Sequence, residues 1–274
     1  MDTSQPPVLT DRRALAARRA RAVPTGMFLQ HEAADDAKER LIEVNRAFIS
    51  PVVVTPFPDV WDGFGATKAD NDVLDLEPSG HDLVVHALSL HWSNDPIGQL
   101  IQCRRALRPD GLLIATLFGS GTLAELRQVL ARAESEVTGG LSPRVLPMAD
   151  IREATALLQR AGLALPVGDS RTLPVSYESA WHLMRDLRAM GEANALEGRL
   201  RKPTRPAVLK RASELYQDAF GAADGRVTAT FEIITLTGWA PADSQQRPLR
   251  PGSAKSRLAD ALKTVEKPAG DTVS

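Results

Sequence analysis

Three short apolar runs set the limits on this chain. Val52-Val53-Val54, the run inside His81–Trp92 (HDLVVHALSLHW) and Leu112–Phe118 (LLIATLF) each read as a strand buried on both faces. Helical patterns separate them. Residues 31–48 place Ala34, Ala37, Leu41, Val44 and Phe48 on one stripe, stopped by Pro51. Asp95-Pro96 is an N-cap followed by proline at the first helical position, and predicts a helix to about Leu107. Arg108-Pro109-Asp110-Gly111 then makes a turn. Thr122 and Glu125 form a capping-box pattern ahead of Leu123, Leu126, Leu130, Ala133 and Val137, with Gly139-Gly140 at the end. Asp150 and Glu153 repeat that pattern, with Gly162 as the stop. Leu163–Val167 reads as a short strand. Residues 178–190, with Trp181, Met184 and Leu187 inward, and 206–220 read as helices, and 226–239 is the most β-rich stretch.

Strands alternating with helices imply βαβ units: a mostly parallel sheet with helices on both faces. Ligands of such sheets bind beyond the carboxyl ends of the strands. The loops after Thr55, Ala87 and Phe118 are therefore the places to look. The expected organisation is an N-terminal helical segment over 1–50, an α/β domain over 51–240 with a helical insert at about 176–222, and a flexible tail over 241–274 rich in Pro, Gly, Ser and charge.

Composition narrows the function classes. With 274 residues there is length for one sizeable core, and a net charge of −1 carries no whole-chain electrostatic footprint for nucleic acid. The one cysteine, Cys103, excludes an intrachain disulfide or a cysteine-based metal cluster. No run of 18 apolar residues is present, so no spanning helix is expected. The Arg-rich stretch 11–22 (DRRALAARRARA) predicts a basic helix, read first as a solvated face and second as a surface docking an acidic partner or lipid.

Several motifs invite a function and lose to a plainer reading. Gly119-Ser120-Gly121-Thr122-Leu123-Ala124 matches the phosphate-cradling G-x-G-x-x-G/A pattern, but no second strand ending in an acid follows, so a tight strand–helix turn is the stronger reading. His81, His86 and His91 are spaced by five, which brings them to one face of neither a strand nor a helix, so no metal site is expected. Ser89 sits in no nucleophile elbow. Glu134 and Glu136 lie two apart on a helix and form no carboxylate dyad. No catalytic residue is assigned.

The stretch from His81 to Leu126 is more specific. Asp82-Leu83-Val84-Val85 and Leu107–Gly111 (LRPDG) resemble the fourth strand and following turn of class I S-adenosylmethionine (SAM) methyltransferases. Leu88–Asp95 (LSLHWSND), Phe118-Gly119 with Thr122–Leu126 (TLAEL), Gly139–Arg144 (GGLSPR) and Met190–Asn194 (MGEAN) resemble the methyltransferase-like family of complex I assembly factor 5, including its alphaproteobacterial branch. Malonyl-carrier-protein methyltransferases of biotin synthesis are more distant cousins. The resemblance runs over about residues 11–250.

It implies a reduced Rossmann-like sheet, its last strand antiparallel, with helices on both faces, N-terminal helices and a helical insert. SAM is the implied cofactor. Thr55, Asp70, Asn71, His86 and Ser89 fall at the cofactor-side positions: Asp70, with Asn71 beside it, where an acid faces adenine, and His86 near the methyl donor. His91, Trp92, Gly140, Arg144 and Glu192 fall on the substrate side. The family's best-known member hydroxylates an arginine of a respiratory complex I subunit, and other members are methyltransferases. A respiratory-chain protein substrate is implied, as is a bacterial, cytoplasmic setting, peripheral at the inner membrane.

The sequence departs from the family at one place. Where the first strand should run into a glycine-rich loop, this chain has Thr55-Pro56-Phe57-Pro58. The glycines let the backbone pass beneath the methionine end of SAM, so tight binding in the usual pose is not expected. The interval from Thr55 to Asp70 has roughly half the length that two βα units need, so the second and third strands should be missing or vestigial. The alternative function is a non-catalytic homologue acting as an assembly or scaffold partner.

Overall fold

The computed structural model describes residues 8–245. In chain order the elements are α1 (Arg12–Arg19), α2 (Phe28–Val44), β1 (Pro51–Val54), β2 (Ala66–Lys68), β3 (His81–His86), α3 (Pro96–Ala106), β4 (Leu107–Phe118), α4 (Ala124–Thr138), α5 (Ile151–Arg160), β5 (Ala164–Tyr177), α6 (Ala180–Ala189), α7 (Pro206–Phe220) and β6 (Val227–Trp239). The strands form one sheet in the order β2-β1-β3-β4-β6-β5. β1 runs parallel to β2 and β3, and β3 to β4, while β6 is antiparallel to both β4 and β5. The parallel pairings are those that the alternation implies, and the reversed terminal strand is the one that the resemblance implies.

Successive side chains on a strand point to opposite faces, and the two cores follow that period. Val53, Val85 and Ile114 face a core shared with α2, α4, α6 and α7. Val52, Val54, Val84, Leu113 and Ala115 face the other, built with Leu100 and Cys103 of α3 and Ala154 and Leu158 of α5. Burial on both faces is why these strands read as continuous apolar runs.

The shortage at the front of the sheet is visible. Between Val54 and His81 there is a single strand, β2, of three residues. Other expectations shift. The first long helix ends at Asn45, left-handed at φ 50°, rather than at Pro51. Asp95 caps α3 by accepting from the Gly98 amide, and the Asp150–Glu153 box forms at α5. The Thr122–Glu125 box does not form. Thr122 instead donates its hydroxyl to the Glu232 carbonyl, and the Glu125 carboxylate takes the Thr230 hydroxyl and amide, so both side chains tie α4 to β6. Trp181 is 47% exposed rather than inward, and the inner face of α6 is carried by Leu183 and Leu187. The strand expected over Leu163–Val167 extends to Tyr177, because pairing with β6 from Val167↔Thr237 to Tyr177↔Val227 holds residues whose own propensity is weak. Of the tail, residues 246–274 lie outside the described residues. Among the described residues no helix is long and apolar enough to cross a membrane.

Candidate functional site

The carboxyl ends of β1 and β3 carry polar side chains, Thr55 and His86, and each is engaged by the protein itself. At β1, the Thr55 hydroxyl accepts from the Phe57 amide at 3.0 Å, closing a turn over Pro56. Trp61 follows, fully buried, and donates its indole N–H to Gln30 Oε1 at 3.1 Å. An aromatic ring thus fills the region after β1.

At β3, His86 is fully buried. Its Nε2 lies 2.9 Å from Gln99 Oε1, and the Gln99 amide donates to the Asn71 carbonyl at 2.9 Å. A carbonyl only accepts, so the Gln99 NH2 must face Asn71 and its oxygen must face His86. His86 therefore donates from Nε2 and accepts the Ser89 hydroxyl at Nδ1, 3.5 Å away. Burial lowers the His86 pKa, against the opposing pull of the Gln99 hydrogen bond and the Asp70 charge. The folded protein thus holds His86 neutral. Unfolding releases a histidine that titrates at the ordinary 6.5, so its contribution is complete above that pH and is lost as pH falls below it. Wild-type stability should fall between pH 6.5 and 5 by more than that of His86→Asn, by up to about 1.4 kcal/mol per pH unit. Urea titrations at the two pH values check this, and parallel losses would remove His86 as the cause.

Asp70 follows β2 and is 6% exposed. It does not face an open cleft. Arg19 of α1 meets its carboxylate at 2.7 Å with both side chains 9% exposed, and Arg12 approaches the same carboxylate and donates to the Asp70 carbonyl. The basic helix is therefore not a merely solvated face. Leu15 inserts beside Trp92, Leu146, Ala195 and Leu196, and Asp11 pairs with Arg199 and Arg201 at 2.8 and 2.9 Å.

A cavity of about 220 Å³ opens beyond β4. Its walls are largely apolar, with Trp92, Phe118, Leu126, Leu187 and Phe231 among them, and Glu192 supplies a carboxylate. Glu192 Oε2 accepts the Trp92 indole N–H at 2.6 Å and lies 3.4 Å from His91 Nε2. His91 Nδ1 accepts from the Phe118 amide at 3.4 Å, which leaves the ring proton on Nε2, toward Glu192. Burial raises the Glu192 pKa, but the His91 hydrogen bond, the Arg19 charge and the Trp92 hydrogen bond outweigh it and hold Glu192 below its ordinary value. Its other oxygen, Oε1, is buried and has no hydrogen-bond partner among the described residues.

His91, Trp92 and Glu192, expected on the substrate side, are brought together. Arg144 lines the same cavity but is bound by Glu134, at 2.7 and 2.9 Å, and by Thr204. Gly140 is exposed and is absent from the cavity wall. Of the cofactor-side residues, Asn71, Ser89 and His86 join through Gln99, whereas Thr55 stays in its own turn. Nothing local in the sequence marks Gln30, Trp61 or Gln99, whose contacts span 13 to 58 positions. The Arg-rich helix was visible, but its target was not. The Gly119–Gly121 loop cradles an internal anion: the Gly121 amide donates to Glu232 Oε2 at 2.7 Å, and a Cβ on Gly119 would stand 2.5 Å from that carboxylate. Among the described residues no cluster of ligating side chains could hold a metal ion.

No family model matches the chain. It is similar to arginine-hydroxylase NDUFAF5, mitochondrial, of Dictyostelium discoideum, with 40% identity over 192 residues, 70% of this chain and 44% of that protein. The zebrafish (Danio rerio) protein of the same name is 38% identical over 71% of this chain and 60% of its own length. A malonyl-acyl-carrier-protein O-methyltransferase of Laribacter hongkongensis is 34% identical over 67% of this chain and 59% of that protein. The chain thus spans about half of the length of the first two relatives. Among solved structures, the YcgJ protein of Bacillus subtilis shares 12% identity at a TM-score of 0.41, covering 68% of this chain and 75% of that one. So loose a likeness carries no weight, and the fold assignment rests on the strand order.

Proposed function

The chain belongs to the methyltransferase-like family that includes arginine-hydroxylase NDUFAF5, and from that premise we propose that it acts on an arginine side chain of a partner protein. A subunit of respiratory complex I is the partner we infer, met as a peripheral protein at the membrane where that complex assembles. The observation that carries the reading is Glu192, whose side chain lines a largely apolar cavity and whose buried Oε1 has no hydrogen-bond partner among the described residues. A guanidinium is the complementary donor: its N–H groups meet the carboxylate, and its methylenes lie along Leu126, Leu130 and Leu187. Trp92 and His91 fix the carboxylate's orientation, and Phe118 shields it.

SAM is the cofactor class that this family suggests. The residues as arranged here do not fit it in the usual pose. Asp70 is neutralised by two arginines, His86 is committed to Gln99, and the turn after β1 presents prolines and Trp61 where the backbone would need to approach the ligand. That arrangement favours the second reading, a non-catalytic homologue that binds the same arginine-bearing partner during assembly.

Calorimetry with an arginine-containing peptide and its citrulline counterpart tests the arginine reading. The hydrogen bond to a charged group is worth about 1.5–3 kcal/mol, so arginine should bind at least about 10-fold tighter than citrulline, and Glu192→Gln should remove most of that preference. Equal affinities for the two peptides would sink it.

A further inference from the structure

We propose that Arg188 selects the sequence around the arginine that Glu192 receives, so that the cavity takes a peptide carrying an aspartate or glutamate within two residues of that arginine. Such selection rests on the arginine reading of Glu192. The polar groups on the cavity wall are few, and most are engaged within the protein. Thr122 exchanges hydrogen bonds with the Glu232 backbone. Asn194 donates to the Pro143 carbonyl and accepts from the Leu196 amide, and Arg144 is held by Glu134. Arg188 differs. It lines the cavity and is exposed, and among the described residues its guanidinium makes no ion pair or hydrogen bond. Exposed arginines are ordinary on a protein surface. What singles this one out is its place on the wall of a cavity that also holds an acid.

The separation of the two charges is set by local backbone. Helix α6 ends in a glycine cap with paired hydrogen bonds: the Glu192 amide donates to the Leu187 carbonyl at 2.9 Å, and the Gly191 amide to the Arg188 carbonyl at 3.1 Å. Gly191, at φ +80°, supplies the left-handed residue that this cap needs. The chain therefore doubles back over the last turn of α6, and the acid and the cation cannot part without breaking the cap. The wall has a direction as well, with Glu192 in the interior and Arg188 where the cavity meets solvent. A guanidinium seated on Glu192 leaves the peptide backbone, and the side chains that flank the arginine, on the Arg188 side. An extended peptide advances about 3.3–3.6 Å per residue, so an acid one or two positions from the arginine stays within reach of a long side chain at the rim. A cation in the last turn of a helix also suits its dipole. Arg185 separates the two roles, because it is exposed on the same helix but lines a different cavity.

Calorimetry of the full chain tests this with peptides that carry one arginine flanked by aspartate, alanine or lysine, each with a citrulline counterpart. At low salt the aspartate peptide should bind about 3- to 5-fold tighter than the alanine peptide, the scale of an ion pair open to solvent. Added salt should shrink that difference. Arg188→Ala should remove it, and Arg188→Glu should invert the order in favour of the lysine peptide. Arg185→Ala should leave the order unchanged. Equal affinity of the wild-type chain for the aspartate and alanine peptides, a preference for aspartate that survives Arg188→Glu, or an equal loss in Arg185→Ala would overturn the proposal. The citrulline counterparts keep the two readings apart. Wild-type protein that prefers arginine to citrulline but ignores the flanking acid overturns the role of Arg188 alone. Equal affinity for arginine and citrulline, or no binding of any peptide, overturns the reading at Glu192 and the selection by Arg188 with it.

Discussion

Asp70→Ala is expected to lower the unfolding free energy by about 3 kcal/mol, because it leaves Arg19 charged and unpaired where its side chain is 9% exposed. At roughly 2–4 °C per kcal/mol for a chain of this size, melting should fall by about 6–12 °C. The double variant Asp70→Ala/Arg19→Ala should recover much of the loss, since no buried charge then remains. Removing one partner of a buried pair costs far more than removing both, which sets this pair apart from the exposed Lys38–Asp35 pair, worth under about 1 kcal/mol. Denaturant titrations of the four proteins in the cycle give the coupling directly. A neutral Asp70→Ala would mean that the guanidinium finds water as soon as the carboxylate is gone, so that α1 is not buried against Asp70.

Phe231→Ala should cost about 3–5 kcal/mol. The ring is 1% exposed on β6 and makes an edge contact with Phe28 at 6.2 Å and a tilted contact with Phe118 at the same distance. It therefore joins α2, β4 and β6 at one point and forms part of the wall of the Glu192 cavity. Its removal should enlarge that cavity as well as weaken the core. Phe231→Leu, which keeps most of the volume, should cost about 1 kcal/mol. Urea midpoints at constant slope measure both, and a loss under about 1 kcal/mol for the alanine variant would place the ring outside the core.

The strand runs were legible because burial on both faces leaves continuous apolar sequence. Helix starts were legible only where the cap is local. Asp95 and Asp150 each accept an amide within three positions, and both behave as their sequence suggests. Thr122 has the same local pattern, but its hydroxyl goes to Glu232 across 110 positions, so the pattern misleads. The length of β5 was hidden for a related reason: its residues are strand because β6 lies beside them. In the candidate site, LSLHW and MGEAN marked His91, Trp92 and Glu192 as residues of interest. That they share one carboxylate across 100 positions is a tertiary fact.

By itself the sequence determined the alternation of strands and helices, the proline-bearing turn Thr55–Pro58 after β1 and the short interval from there to Asp70. Each of these depends on residue type and spacing within a few turns of chain. Only the tertiary structure decided what became of the polar groups. It put Arg19 on Asp70, closed His86 with Gln99 and left Glu192 Oε1 buried without a hydrogen-bond partner among the described residues. The physical reason is the cost of burying charge and hydrogen-bonding capacity: each such group must find a partner wherever the fold can supply one, and sequence distance places no limit on that search.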